Sequence, residues 1–265
     1  MQRTLVLGIL NVTPDSFADG GKFLDPAAAI TQGRRLIAEG ADIIDVGGES
    51  TRPGADRVSE EEELKRVMPV ITELVKDGAV ISVDTTRSEV AKAAIAAGAT
   101  YVNDVSGGLA DEKMAPLIAA NPKVQYIVMH WRGESKDMQS KAVYKDVVKE
   151  VKDELDQRVV ELLKAGVQAE QIILDPGIGF AKEPEHNWQI LQNIERFQLL
   201  GYPILIGASR KRFLGELVNA KDADNREAAS IALTAQLARL EIWGVRTHSV
   251  KPHLDAIAVA DRLRK

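Results

Sequence analysis

Asp84, Asn103 and Asp175 each stand at the end of a short apolar run, in "AVISVD", "TYVND" and "QIILD". Two carboxylates and an amide carried by three different strands offer acceptors and donors to a flat heterocycle with ring N–H and amino groups. One such Asp is often only a cap for the following helix, but three together argue for a site. A second set is cationic. "SRKRF" places Arg210, Lys211 and Arg212 at a helix start, where the dipole disfavours positive charge, so the cluster points to an anionic or electron-rich ligand. Arg246 and His248 are two residues apart in "GVRTHSV", a spacing that puts both on one strand face, within reach of one anion. His130 also ends a strand, whereas His186 and His253 read as surface or capping residues. The stretch "DVGGESTRPGA", Asp45 to Ala55, adds two glycines, two hydroxyls and Arg52-Pro53 after an apolar run. That make-up suits a plain turn or, equally, a glycine-hinged loop that closes over a ligand.

Familiar chemistries are missing. The chain has no GxxxxGK[ST], no GxGxxG after a first strand, no HExxH and no GxSxG elbow. Zero cysteines remove disulfides, a catalytic thiol and thiolate metal sites, in keeping with a cytosolic protein. The formal charge of -5 argues against nucleic acid or an anionic membrane as partner. No run reaches the ~20 apolar residues of a membrane span, and "MQRTLVLGIL" is too short for a signal peptide.

Eight Val- and Ile-rich runs must position these side chains: "TLVLGIL", "DIIDV", "AVISVD", "TYVNDV", "VQYIVMH", "QIILD", "PILIGA" and "GVRTHSV". Their near-continuous hydrophobicity suits strands buried on both faces. Helical patterns alternate with them, among them Ala27 to Ala38, Glu60 to Val75 with Ser59 as N-cap, Arg87 to Ala96, Tyr144 to Lys164 and Ala228 to Ile242. Eight βα units in 265 residues, 45 % hydrophobic and 28 % charged, favour a (β/α)8 barrel over an open doubly wound sheet. In such a barrel chemistry gathers at the C-terminal strand ends, which is where Asn11, Gly47 to Gly54, Asp84, Asn103, His130, Asp175, "SRK" and Arg246 with His248 fall.

The stretches "LGILNVTPDSFADGG", "IIDVGGESTRPGA", "SVDTTR", "VNDVSGG", "VMH", "ILDPGIGF", "GASRKRFLG" and "VRTH" stand in the order and spacing of dihydropteroate synthases, and the chain resembles that family over essentially its whole length. The resemblance implies a single (β/α)8 TIM-barrel domain over residues 1–265. It implies a cytoplasmic, homodimeric, magnesium-dependent transferase of folate biosynthesis and a sulfonamide target. Such an enzyme joins 6-hydroxymethyl-7,8-dihydropterin pyrophosphate to p-aminobenzoate, giving 7,8-dihydropteroate and pyrophosphate.

Position by position, the resemblance implies that Asp84, Asn103 and Asp175 hold the pterin ring's donors. Lys211 reaches its carbonyl side, Arg246 lies near its face, and Met129 and Phe180 pack against it. Asn11 ligates Mg²⁺ with Asp15 as a helper, and Thr51, Arg246 and His248 meet the pyrophosphate. Phe17, Thr51, Arg52 and Pro53 enclose p-aminobenzoate. Catalytic work then falls to Asp15, Arg52, Lys211, Arg246 and His248. Two positions depart from the family pattern: Ser249 stands where many members carry Asp, and Arg212 where some carry Ser. A non-catalytic pterin-binding homologue and a corrinoid-linked methyltransferase domain are the alternatives, the latter leaving "NVTPDSF" and the Arg/His pair without a purpose.

Overall fold

The computed structural model describes residues 3–13, 26–50, 57–134 and 136–264. Along these, strands and helices alternate: β1 (Leu5–Asn11), α1 (Pro26–Ala38), β2 (Ile43–Gly47), α2 (Glu60–Lys76), β3 (Ile81–Asp84), α3 (Ser88–Ala96), β4 (Tyr101–Asp104), α4 (Met114–Ala119) and β5 (Gln125–Met129). They continue with α5 (Val147–Lys164), β6 (Ile172–Asp175), α6 (Pro184–Gln192), α7 (Ile194–Gln198), β7 (Leu205–Ile206), α8 (Arg212–Leu217), α9 (Glu227–Arg239), β8 (Gly244–Thr247) and α10 (Lys251–Leu263).

The eight strands pair in the order β6-β5-β4-β3-β2-β1-β8-β7, and the five pairs from β6 to β1, with β1–β8 and β8–β7, are all parallel. The remaining seam, between β6 and β7, is closed by a parallel bridge from Leu174 to Ile204 and by the Leu174 N–H donating to the Pro203 carbonyl at 2.9 Å. The sheet is therefore a barrel, as the eight runs predict.

Strand periodicity sorts the side chains into two cores. Val6, Leu10, Ile44, Val46, Val83, Val102, Val128 and Leu174 face outward into the large layer beneath the helices. Leu7, Ile43, Ile127, Ile173 and Leu205 face inward and plug the barrel floor, with Tyr101 and Trp243 packed against them. Two residues further along the same inward face the plug gives way to polar groups: Ile43 to Asp45, Tyr101 to Asn103 and Ile173 to Asp175. Ser82 leads to Asp84 and Gly244 to Arg246 in the same way. The floor is apolar and the mouth is polar because the same face of each strand changes character once.

Helix starts follow local chemistry. Ser59 caps α2, its hydroxyl accepting from the Glu62 N–H at 3.2 Å, and four glutamates in the first turn complement the dipole. The pattern from Tyr144 becomes helical only at Val147, because the Asp146 side chain accepts from the Lys149 N–H at 3.0 Å and caps the helix there. Tyr144 instead donates its hydroxyl to the Ala181 carbonyl at 2.9 Å. The "PILIGA" run pairs only at Leu205–Ile206, and "GVRTHSV" ends as strand at Thr247.

Candidate active site

The C-terminal ends of β2, β3, β4 and β8 converge on one ionic knot. Arg246, its side chain 19 % exposed, donates from Nη2 to Asp84 Oδ2 at 2.5 Å and from Nε to Asp45 Oδ2. The Asn103 amide donates to the same Asp45 oxygen at 3.0 Å. Burial pushes the Asp84 carboxyl up to about 7, against the pull of Arg246. Burial also lowers Arg246, but Asp45 and Asp84 beside it more than reverse this and hold it charged. The second Asp45 oxygen, Oδ1, and the hydroxyl of Ser82, its register partner on β3, are buried without a hydrogen-bond partner among the described residues. Unpaired buried acceptors of this kind suit a ligand that brings donors.

Across the mouth, Asp175 accepts from the Gly177 N–H at 2.7 Å through Oδ1, which leaves Oδ2 for other donors. Burial pushes its carboxyl up, opposed chiefly by Lys211. Lys211 stands immediately before α8, donates to the Ile178 carbonyl and lies 4.5 Å over the Phe180 ring. Burial brings its ammonium down to about 8, with Asp175 pulling the other way. The turn between them needs glycine twice. At Gly177 (φ 70°) a Cβ would stand 2.7 Å from the His130 carbonyl, and at Gly179 (φ 80°) 2.9 Å from Lys211 Cδ. Met129, paired in register with Asp175, adds an apolar wall next to Gly177.

The structure thus brings Asp84, Asn103, Asp175, Lys211, Arg246, Met129 and Phe180 to one slot. Asn11 ends β1, half-buried, beside Gly47. His248 lies just beyond β8, its Nδ1 3.0 Å from the Ser209 hydroxyl. Arg246 turns inward to the carboxylates through Nε and Nη2. Asp15, Phe17, Thr51, Arg52 and Pro53 lie outside the described residues.

Two readings of the sequence are corrected. Of the three cations at "SRKRF", only Lys211 enters the slot: Arg210 pairs with Asp224 and Glu227 at 2.6 Å each, and Arg212 with Glu216 at 3.1 Å. His253 is fully buried, 2.8 Å from the Thr234 hydroxyl and 3.3 Å from Glu227. Burial raises Glu227, but hydrogen bonds from His253, Ser249 and Arg210 bring its carboxyl down to about 2. At the Ser249 departure a carboxylate therefore arrives from α9 instead, because the Ser249 hydroxyl donates to Glu227.

The sequence reading missed Asp45. Its signal was a carboxylate in the middle of a fully buried strand, where an unsupported charge is costly.

The family of pterin binding enzymes matches residues 7–248. A dihydropteroate synthase of Mycobacterium leprae is 48 % identical over 260 residues, 96 % of this chain and 91 % of that protein. The chain belongs to the dihydropteroate synthase family. Solved family structures superpose closely. That of Xanthomonas albilineans with 4-aminobenzoic acid has a TM-score of 0.93 at 41 % identity, covering 99 % of this chain and 93 % of that one. That of Anaplasma phagocytophilum with bound 6-hydroxymethylpterin-monophosphate has a TM-score of 0.89 at 34 % identity, covering 99 % and 100 %. As a dihydropteroate synthase family member the chain is an enzyme, a transferase of folate synthesis.

Proposed function

We propose that the slot binds the pterin of 6-hydroxymethyl-7,8-dihydropterin pyrophosphate and that the enzyme replaces its pyrophosphate with p-aminobenzoate. The observation that carries this reading is the convergence of Asp45, Asp84, Asn103 and Asp175 with two cations, Lys211 and Arg246, at one end of the barrel. A pterin presents ring N–H and amino donors on one edge and a carbonyl on another. The carboxylates and Asn103 take the donors, Lys211 meets the carbonyl side, and Met129 and Phe180 pack against the ring.

The reaction needs no protein nucleophile. The methylene C–O bond breaks with its electron pair leaving on pyrophosphate, and the resulting cation is delocalised into the electron-rich pterin. The aniline nitrogen then forms the new C–N bond and loses a proton. Arg246, whose Nε and Nη2 hold the carboxylates, keeps Nη1 for the departing oxygens, and His248 and Thr51 join it. Water competes with the weak amine, so excluding it is the second task, assigned to Phe17, Arg52 and Pro53 around p-aminobenzoate.

Asn11 is proposed as the protein's magnesium ligand, with Asp15 as a helper. Among the described residues no group of three His, Cys, Asp or Glu is placed to hold a metal. One neutral amide oxygen at the mouth nevertheless fits Mg²⁺, which keeps several waters and takes substrate phosphate oxygens rather than a protein cage. When bound, the ion would neutralise charge on the leaving pyrophosphate. The same reading makes the working unit a cytoplasmic homodimer.

Ordered binding follows from assigning Thr51, Arg52 and Pro53 to the second-substrate pocket. A sulfonamide, standing in for p-aminobenzoate, should bind more tightly with pyrophosphate and Mg²⁺ present, with a coupling of about 1–3 kcal/mol. Arg52→Ala should remove most of that coupling and spare pterin affinity. Calorimetric titration decides it: equal sulfonamide affinity for the bare protein and the pyrophosphate complex would refute the order.

A further inference from the structure

The turn from Asp175 to Lys182 is held from behind by polar side chains outside the slot. Lys182 is 3 % exposed, and its ammonium donates to the Phe180 carbonyl and to His130 Nδ1, each at 3.0 Å. A charged ammonium has only protons to give, so His130 Nδ1 is the acceptor. The imidazole proton then sits on Nε2, which donates to Glu154 at 2.9 Å. Arg132 completes the line, donating from Nε to Glu154 at 3.1 Å and from Nη2 to Glu150 at 3.0 Å. Toward the slot, a Cβ on Gly177 would stand 3.4 Å from Lys182 Nζ, and the Gly177 N–H holds Asp175. Lys182 therefore lies across the Gly177 turn from Asp175.

We infer that Lys182 is a positioning residue for pterin recognition: it keeps Asp175 in its ionised, accepting form from behind the turn and pins the Phe180 backbone. The inference rests on the reading of Asp84, Asn103 and Asp175 as the pterin slot. Burial lowers Lys182 to about 7, opposed first by Asp175, so its charge is lost near neutrality. Burial and then Lys182 bring His130 down to about 4, which keeps it neutral and able to accept. The other charged groups acting on Lys182 are Lys211, before α8, Arg132, after β5, and Glu154, on α5. Asp175 in turn feels Lys211, Lys182 and Arg246.

The test is the affinity for 6-hydroxymethylpterin between pH 6 and pH 9 in wild type, Lys182→Met and Lys182→Arg. Ratios between proteins cancel the ligand's own titration. At pH 6 the methionine variant should bind about tenfold more weakly than wild type, the size of one lost charge interaction. That gap should close towards pH 9, where wild-type Lys182 has lost its proton. Lys182→Arg stays charged throughout, so its affinity relative to wild type should rise with pH. A folded Lys182→Met with wild-type affinity at pH 6, or with the same loss at every pH, overturns the role. Should the methionine variant not fold, a flat arginine-to-wild-type ratio overturns it equally. Wild type that binds no pterin at any pH would instead refute the slot itself.

Discussion

Arg246→Met should lose about 3–5 kcal/mol of stability at neutral pH, along with its activity, because two buried carboxylates are left without their cation. Arg246 holds both Asp45, wholly buried on β2, and Asp84 on β3. The pH dependence identifies the cause. In the native protein Asp84 sits at about 7, above the ~3.9 of an unfolded Asp. Between those values the folded state keeps a proton that the unfolded chain has released, so this group's contribution to stability falls as pH rises from about 4 to about 7. Removing Arg246 pushes that carboxyl higher still. The variant's deficit should therefore be widest at pH 8 and narrow at pH 5, where Asp84 is protonated in both proteins. Urea unfolding at the two pH values measures this. An equal deficit at both would show that the lost pairing with Asp84 is not what the variant suffers from.

Asp175→Ala should weaken pterin binding by about 2–4 kcal/mol while the protein still unfolds cooperatively. The protein uses one oxygen of this carboxylate for the Gly177 N–H at 2.7 Å, and the other is available to ligand donors. Truncation leaves those donors facing an apolar stump in a buried site, and such an unpaired group costs more than an average hydrogen bond contributes. Calorimetry with 6-hydroxymethylpterin reads it directly. Unchanged affinity in a folded variant would remove Asp175 from the site.

What the sequence made legible depended on position along a strand. Asp84 and Asp175 stand where apolar runs stop, and Asn103 one residue short of that, so the barrel rule that chemistry gathers at strand ends located them before any contact was known. Asp45 escaped that rule because it lies inside "IIDVG", and only the closed barrel reveals that its inward neighbours are Ser82, Asn103 and Arg246. Arg210, Lys211 and Arg212 were indistinguishable as consecutive letters. Their fates diverge because successive side chains leave the backbone in different directions, and Asp224, Glu227 and Glu216 capture the outer two. His253 and Lys182 were misjudged or passed over for a related reason. Their partners Glu227 and His130 lie 26 and 52 residues away, and no local pattern announces such pairs.

Pyrophosphate release by the purified protein, followed with pterin pyrophosphate and Mg²⁺ in the presence and absence of p-aminobenzoate, bears most directly on the reaction assigned to this slot. Release should stay at background without the amine and rise with it, one pyrophosphate for each 7,8-dihydropteroate formed. Release that is indifferent to p-aminobenzoate, or none from protein that binds the pterin, would contradict it.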